Sequence, residues 1–259
     1  MKCGIDPSNL SIIWNLGFRI WCLHFREVFM PRGRPRRGEA HPDRIDDLFS
    51  NELACDPLSF ERSAHASGFI CIAGLDEAGR GPLAGPVVAA AVVLPDDLLI
   101  PGLTDSKQVK EPERDRLFDI IREQSVCHGI GIVDERTIDD MNVLQATIIA
   151  MERALESLLP RPDYLLIDAL TLPRVSIPQK PLIKGDCRSH SIAAASILAK
   201  VTRDRLMLEL HEKFPQYNFQ KHKGYGTREH LSLLRKHGPC AAHRRSFHPV
   251  AQMLRGDAR

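Results

Sequence analysis

Three patterns in this 259-residue chain predict an α/β fold: a mixed β-sheet flanked by helices, with a C-terminal helical extension. Two apolar runs, Phe69–Leu75 and Val87–Leu94, lie close enough in the chain to pair as a hairpin. Helix-like and strand-like stretches then alternate as far as Ile167, which adds parallel strands through helical crossovers. Beyond them, Ser189–Lys213 and Thr227–His237 read as helices, the second stopped by Gly238-Pro239.

Residues 1–45 read as a separate piece. An aromatic segment around Trp14 and Trp21 precedes a Pro-, Gly- and Arg-rich stretch, Met30 to Gly38, expected to be unstructured. Met30 offers an alternative start, which would make the first 29 residues untranslated. Residues 46–67 are expected to hold a lead-in helix, about Asp46 to Ser63, and 68–258 the main domain. Within it, Glu111–Glu123 predicts a helix and Val126–Val133 a strand. In Asn142–Leu158, Leu144, Ile148, Met151, Leu155 and Leu158 keep a 4-3-4-3 spacing that predicts one apolar stripe against a sheet. The short apolar run Tyr164–Ile167 is typical of a buried strand.

At 43% hydrophobic, the chain is long enough for one sizeable core. Its seven cysteines are odd in number and scattered, with no C-x-x-C pair, which argues against a disulfide framework or zinc ribbon and fits a reducing cytoplasm. Ser11 to Phe29 is interrupted by Arg19, His24, Arg26 and Glu27, so neither a membrane span nor a secretory signal is expected. Net charge is only +2, yet eight Lys or Arg against one acid, Glu229, fall between Lys213 and Arg245. Such asymmetry fits either a phosphate backbone as partner or a solvated basic face.

The most informative chemistry follows the first apolar run. Asp76 and Glu77 are adjacent carboxylates beside a glycine-rich turn, a costly pairing without a cation between them. Mg²⁺ and Mn²⁺ take hard oxygen ligands of this kind. Asp168 ends the run Tyr164–Ile167, and Asp186 precedes the long helix. Ligands gather where strands of open α/β sheets end, so Asp76, Glu77 and Asp168 can converge, with Asp186 approaching from a helix entrance. The alternatives are that Asp186 or Ser189 caps that helix and that Asp168 closes a turn. Gly79 to Gly85 has the spacing G-x-G-x-x-x-G and leads into a β-branched run, so it fails as a dinucleotide fingerprint, and no Walker lysine is present. Glycines here instead let backbone approach a sugar-phosphate strand closely.

The stretch Gly74-Leu75-Asp76-Glu77-Ala78-Gly79-Arg80-Gly81-Pro82-Leu83-Ala84-Gly85-Pro86-Val87 resembles the opening motif of the bacterial ribonuclease HII family. Further resemblance follows in order at Leu103–Lys107, Ile167–Leu170, Lys184–Ser189, Ile192–Asp204, His222–Thr227 and His243–Phe247, covering about residues 68 to 252. Arg80 stands where ribonuclease HIII carries Lys, which favours type HII. Departures are Val109 for a common Leu and Cys187 for Ala or Ser; Cys187 is expected to be a buried, inert thiol.

The resemblance implies a ribonuclease H-like fold and an endonuclease that hydrolyses the RNA strand of RNA–DNA hybrids, including single ribonucleotides embedded in DNA. It implies Asp76, Glu77, Asp168 and Asp186 as catalytic and metal-holding acids. The implied cofactor is Mn²⁺ or Mg²⁺, two per site with substrate bound, giving 5′-phosphate and 3′-hydroxyl ends. The backbone of Gly79, Arg80 and Gly81, with Tyr225, would read the 2′-hydroxyl, and Lys107, Lys184 and Lys200 would meet phosphates; a solvated helix face is the alternative for Lys200. A cytoplasmic monomer without membrane association, acting in DNA replication and repair, completes the expectation.

Overall fold

The structure, a computed structural model, describes residues 56–256. The expectations for residues 1–45 and for the first part of the lead-in helix fall outside them. Helix α1 (Ser59–Ala66) is what is described of that lead-in.

Strand β1 runs Ile72–Ala78 and β2 runs Val87–Val93, pairing antiparallel with Ala73 opposite Val93 and Ala78 opposite Val88. The first strand thus starts and ends three residues later than its apolar run suggests. Phe69 instead packs its ring on Tyr164, 4.4 Å between centroids, ahead of the strand. The shift matters because Asp76 and Glu77 lie within the strand, paired with Ala90 and Ala89 of β2, just past the last pair with β4 at Leu75 and Ile167.

Helix α2 (Glu111–Gln124) leads to β3 (Cys127–Val133), antiparallel to β2. Helices α3 (Glu135–Met141) and α4 (Val143–Glu156) follow; α3 is too short to show a period and is started by Asp134, whose side chain accepts from the Thr137 N–H. The expected α4 stripe is correct from Ile148 onward and wrong at Leu144, which is 42% exposed. Asn142 caps α4 beside it, accepting from the Leu144 and Gln145 N–H groups, so Leu144 sits in the exposed first turn. The contact face is set instead by Ala150 and Ala154 against Gly129 and Gly131 of β3, where any Cβ would collide with the helix backbone.

Strand β4 (Tyr164–Asp168) pairs parallel to β1, and β5 (Gln179–Leu182) parallel to β4, giving the order β3-β2-β1-β4-β5. Sequence reading missed β5, an edge strand carrying Pro181, where a missing N–H is tolerated. A 3₁₀ turn, Gly185–Cys187, leads into α5 (His190–Lys213). Every residue of β2 is buried because the sheet is covered on both faces: Ala89, Ala91 and Val93 meet α4, whereas Ala90 and Val92 meet α5. Gly74 lets α5 come down onto β1, since a Cβ there would strike the Ser191 backbone.

The C-terminal layer, α6 (Phe219–His222), α7 (Arg228–His237) and α8 (Val250–Leu254), packs Tyr217, Phe219, Leu234 and Val250 with Met207 of α5 and with Leu83 and Ala84 of the glycine turn. That third core brings the chain's last stretch to the end of β1. No helix among the described residues is long and apolar enough to cross a membrane.

Candidate active site

Because β1, β4 and β5 run parallel, their C-terminal ends share one edge of the sheet, and the four acids come from there. Asp76 is 5% exposed, with Oδ1 accepting the Glu77 N–H at 2.7 Å. Glu77 Oε1 pairs with Arg80 Nη1 at 3.1 Å, while its Oε2 is buried with no partner among the described residues. Asp168 Oδ1 accepts the Gly185 N–H at 2.7 Å, tying the end of β4 to the 3₁₀ turn. Asp186, in that turn, lies 3.5 Å from Lys107 Nζ, which is 3.7 Å from Asp105. Ser189 takes the capping role on α5, accepting from the Ile192 N–H, so Asp186 is not the cap.

Burial and mutual repulsion hold Asp76, Glu77 and Asp186 above the ordinary carboxylate range. For Asp76 the shift is large, caused by burial first, then by Glu77 and Asp168, and opposed by the Glu77 N–H. Burial also raises Glu77, against the pull of Arg80, and raises Asp186, reinforced by Asp105 and opposed by Lys107. Lys107 is raised in turn, Asp105 and Asp186 outweighing its partial burial. No three His, Cys, Asp or Glu side chains among the described residues form a closed metal cage. Hard oxygen donors that repel one another, one oxygen buried and orphaned, nevertheless fit a divalent cation.

The other expected site residues divide. Gly79 has φ +99°, and a Cβ there would collide with the Arg203 side chain. Arg80 and Gly81 are exposed, and their N–H groups have no partner among the described residues. Lys107 is 78% exposed and joins the acids; Lys184 is exposed in a left-handed conformation at φ +55°. Tyr225 is 45% exposed. Two expectations are corrected. Lys200 is neither a free phosphate contact nor on a solvated face, because it is mostly buried against Asp204 at 2.7 Å. Cys187 is exposed rather than buried, with its thiol held above the ordinary range by partial desolvation and Asp186.

The Tyr225 loop rests on three imidazoles. His230 Nδ1 lies 2.9 Å from the Tyr225 carbonyl and its Nε2 3.1 Å from His243 Nε2; His243 Nδ1 accepts the Cys240 N–H. His222 Nε2 donates to the Tyr217 carbonyl while its Nδ1 accepts the Gly224 N–H. One neutral tautomer per ring satisfies all these bonds, and burial pushes His230 and His243 down to about 4. Sequence reading missed this network, along with Arg203 and Arg244, both fully buried. Arg244 falls in the basic stretch between Lys213 and Arg245; the signals available are an arginine that follows the small, apolar run Ile192–Ala199 in the long helix α5 and another beside His243.

A mixed five-stranded sheet of this order, flanked by helices and with acids at the ends of neighbouring parallel strands, defines a ribonuclease H-like fold. The crystal structure of ribonuclease H2 from Pyrococcus horikoshii OT3 is similar, with a TM-score of 0.62 and 26% identity over 73% of this chain and 99% of that one. Ribonuclease HII of Archaeoglobus fulgidus, solved in complex with PCNA, has a TM-score of 0.56 and 26% identity over 64% of this chain and 88% of that one. Ribonuclease HII of Bacillus pumilus is 55% identical over 76% of this chain and 77% of its own length, and that of Desulfitobacterium hafniense (strain DSM 10664 / DCB-2) 57% over 76% of each. The ribonuclease HII family model matches residues 73–250, and the chain belongs to that family, endonucleases acting on the RNA of RNA–DNA hybrids.

Proposed function

We propose that Asp76, Glu77, Asp168 and Asp186 form the catalytic centre and hold Mn²⁺ or Mg²⁺, two ions once substrate is bound. The observation that carries this is the buried Glu77 Oε2, which has no partner among the described residues, beside the strongly raised Asp76: hard donors whose charge Arg80 meets only at Glu77 Oε1. Ions bound there would activate a water and stabilise the leaving 3′-oxygen, giving 5′-phosphate and 3′-hydroxyl ends. Arg80 and Lys107 offset the charge of the acids, which keeps the cluster from repelling a phosphate outright. The open N–H groups of Arg80 and Gly81 and the exposed Tyr225 read the 2′-hydroxyl, so single ribonucleotides in duplex DNA are substrates too. Lys184 meets the phosphate backbone. Residues 68–258 are the working unit, acting as a monomer in the cytoplasm on ribonucleotides left by replication and repair.

The test is a duplex carrying one ribonucleotide, incubated with Mn²⁺ or with Mg²⁺. Cleavage at that nucleotide with 5′-phosphate ends is expected; binding that leaves the duplex intact would refute the assignment of the acids.

A further inference from the structure

The carbonyls of the glycine turn after β1 are gathered by two buried guanidiniums, beside backbone bonds from the Leu83 N–H to Gly224 and from the Gly85 N–H to Ala242. Arg244 donates through Nη2 to the Gly79 carbonyl at 2.6 Å, through Nη1 to Arg80 at 2.9 Å and through Nε to Gly85 at 3.0 Å. Arg203, from α5, donates through Nη2 to Ala84 at 3.1 Å and through Nε to Pro86 at 3.0 Å. Five carbonyl oxygens of one short turn are thereby drawn inward. A peptide whose carbonyl points in turns its N–H the other way, and the Arg80 and Gly81 N–H groups are the ones left open.

Arg203 also reaches the second half of the proposed reader. Its Nη1 donates to the Lys223 carbonyl at 3.1 Å, and its guanidinium lies 5.8 Å from the Tyr225 ring centroid. The Leu83 N–H donates to the Gly224 carbonyl, closing the link between the two loops. Arginine is the one side chain that can do this, since a rigid five-donor fork engages several carbonyls at once, whereas an ammonium is a compact point donor.

We propose that Arg203 and Arg244 are positioning residues for ribonucleotide recognition: they fix the donor face of the Gly79–Gly81 turn and set it against Tyr225, touching no substrate themselves. The proposal rests on the reading of that turn and Tyr225 as the 2′-hydroxyl reader. Stability alone explains less, because two buried cations with carbonyl rather than carboxylate partners are an expensive way to fill a core.

The experiment compares the full chain with its Arg203→Lys and Arg244→Lys variants. Affinities are measured in EDTA for two duplexes of one sequence, all-DNA and with a single ribonucleotide, and melting is recorded for each protein. Both variants should melt cooperatively, bind all-DNA duplex within about threefold of wild type, and lose about tenfold of the preference for the ribonucleotide. Tyr225→Phe should lower that preference in wild type and add little in Arg203→Lys, the non-additivity expected of residues acting as a unit. Folded lysine variants that keep the wild-type preference would overturn the proposal alone. Failure of both to fold would also overturn it, assigning the arginines to the core. A wild-type protein with no preference would instead remove the ribonucleotide reader, and the proposal with it.

Discussion

The acid pole at the ends of β1 and β4 and the C-terminal layer around the glycine turn handle polar groups in opposite ways. At the acid pole like charges are crowded, the Asp76 and Glu77 carboxyls are held above their ordinary range and one buried oxygen has no partner among the described residues. In the C-terminal layer the donors of Arg203 and Arg244 find carbonyls, and three imidazoles share one self-consistent set of neutral tautomers. The difference separates two jobs. A site that gathers cations and phosphate must keep unmet demand, whereas a surface that distinguishes a single hydroxyl must be rigid, and rigidity comes from meeting demand in advance.

The largest effect should come from breaking the acid pole. Asp76→Asn is expected to lower turnover by at least about 10²–10³-fold, since it removes a charge from the reacting centre. The same change should raise the melting temperature of the metal-free protein at pH 7.5. A carboxyl raised in the folded state favours folding below its unfolded value near 3.8, and that contribution is lost as pH rises through the folded value. Asn escapes the cost at neutral pH and gains nothing near pH 3. Melting curves at both pH values, in EDTA, decide the point; an unchanged or lower melting temperature at pH 7.5 would mean the acids are not strained.

Gly79→Ala breaks the opposite region. At φ +99° with a Cβ driven into Arg203, the turn must shift, and a displacement of about an ångström in a positioning element can cost about 10²-fold in kcat/KM. Affinity for Mn²⁺ should stay within about twofold, because no acid is touched. Titration calorimetry beside cleavage kinetics separates the two.

This division also marks what the sequence made legible. The acids were readable because a carboxylate pair after an apolar run has few innocent explanations, and Asp168 and Asp186 end runs of their own. Sheet class and most helix limits followed from periodicity, as at Glu111 and His237, where Pro112 and Gly238 punctuate the chain. What stayed hidden was long-range. Arg203 and Arg244 act on carbonyls more than a hundred residues away, and backbone acceptors leave no mark in a sequence. Leu144 fitted the α4 stripe by spacing alone; only its place in the capped first turn exposes it. Edge strand β5 was hidden by Pro181, a residue that argues against a central strand but not against an edge.

The two regions should also answer pH with opposite signs. His230 and His243 are held neutral, down to about 4 from an ordinary 6.5. Above pH 6.5 they take no protons folded or unfolded and cost nothing. Between 6.5 and 4 the unfolded chain binds protons that the folded one refuses, so stability falls, by up to about 3 kcal/mol per ring. His230→Gln should flatten this limb of the pH–stability curve measured in denaturant, whereas Asp76→Asn should leave it in place. A curve equally steep in both variants would deny the layer its part.

The smallest effect tests which region Lys107 serves. It stands 3.5 Å from Asp186 yet is 78% exposed, so the pair contributes at most about 1 kcal/mol and Lys107→Gln should shift melting by no more than about 4 °C. If Lys107 meets a phosphate, each such contact releases counterions, and the slope of log affinity against log salt should become shallower by about one. If it serves only to neutralise the acids, the slope should stay and Mn²⁺ affinity should rise, because a competing cation has gone. Its exposure favours the phosphate contact: a shallower slope with few-fold weaker binding is the expected result, and an unchanged slope with tighter Mn²⁺ binding would return Lys107 to the acid pole.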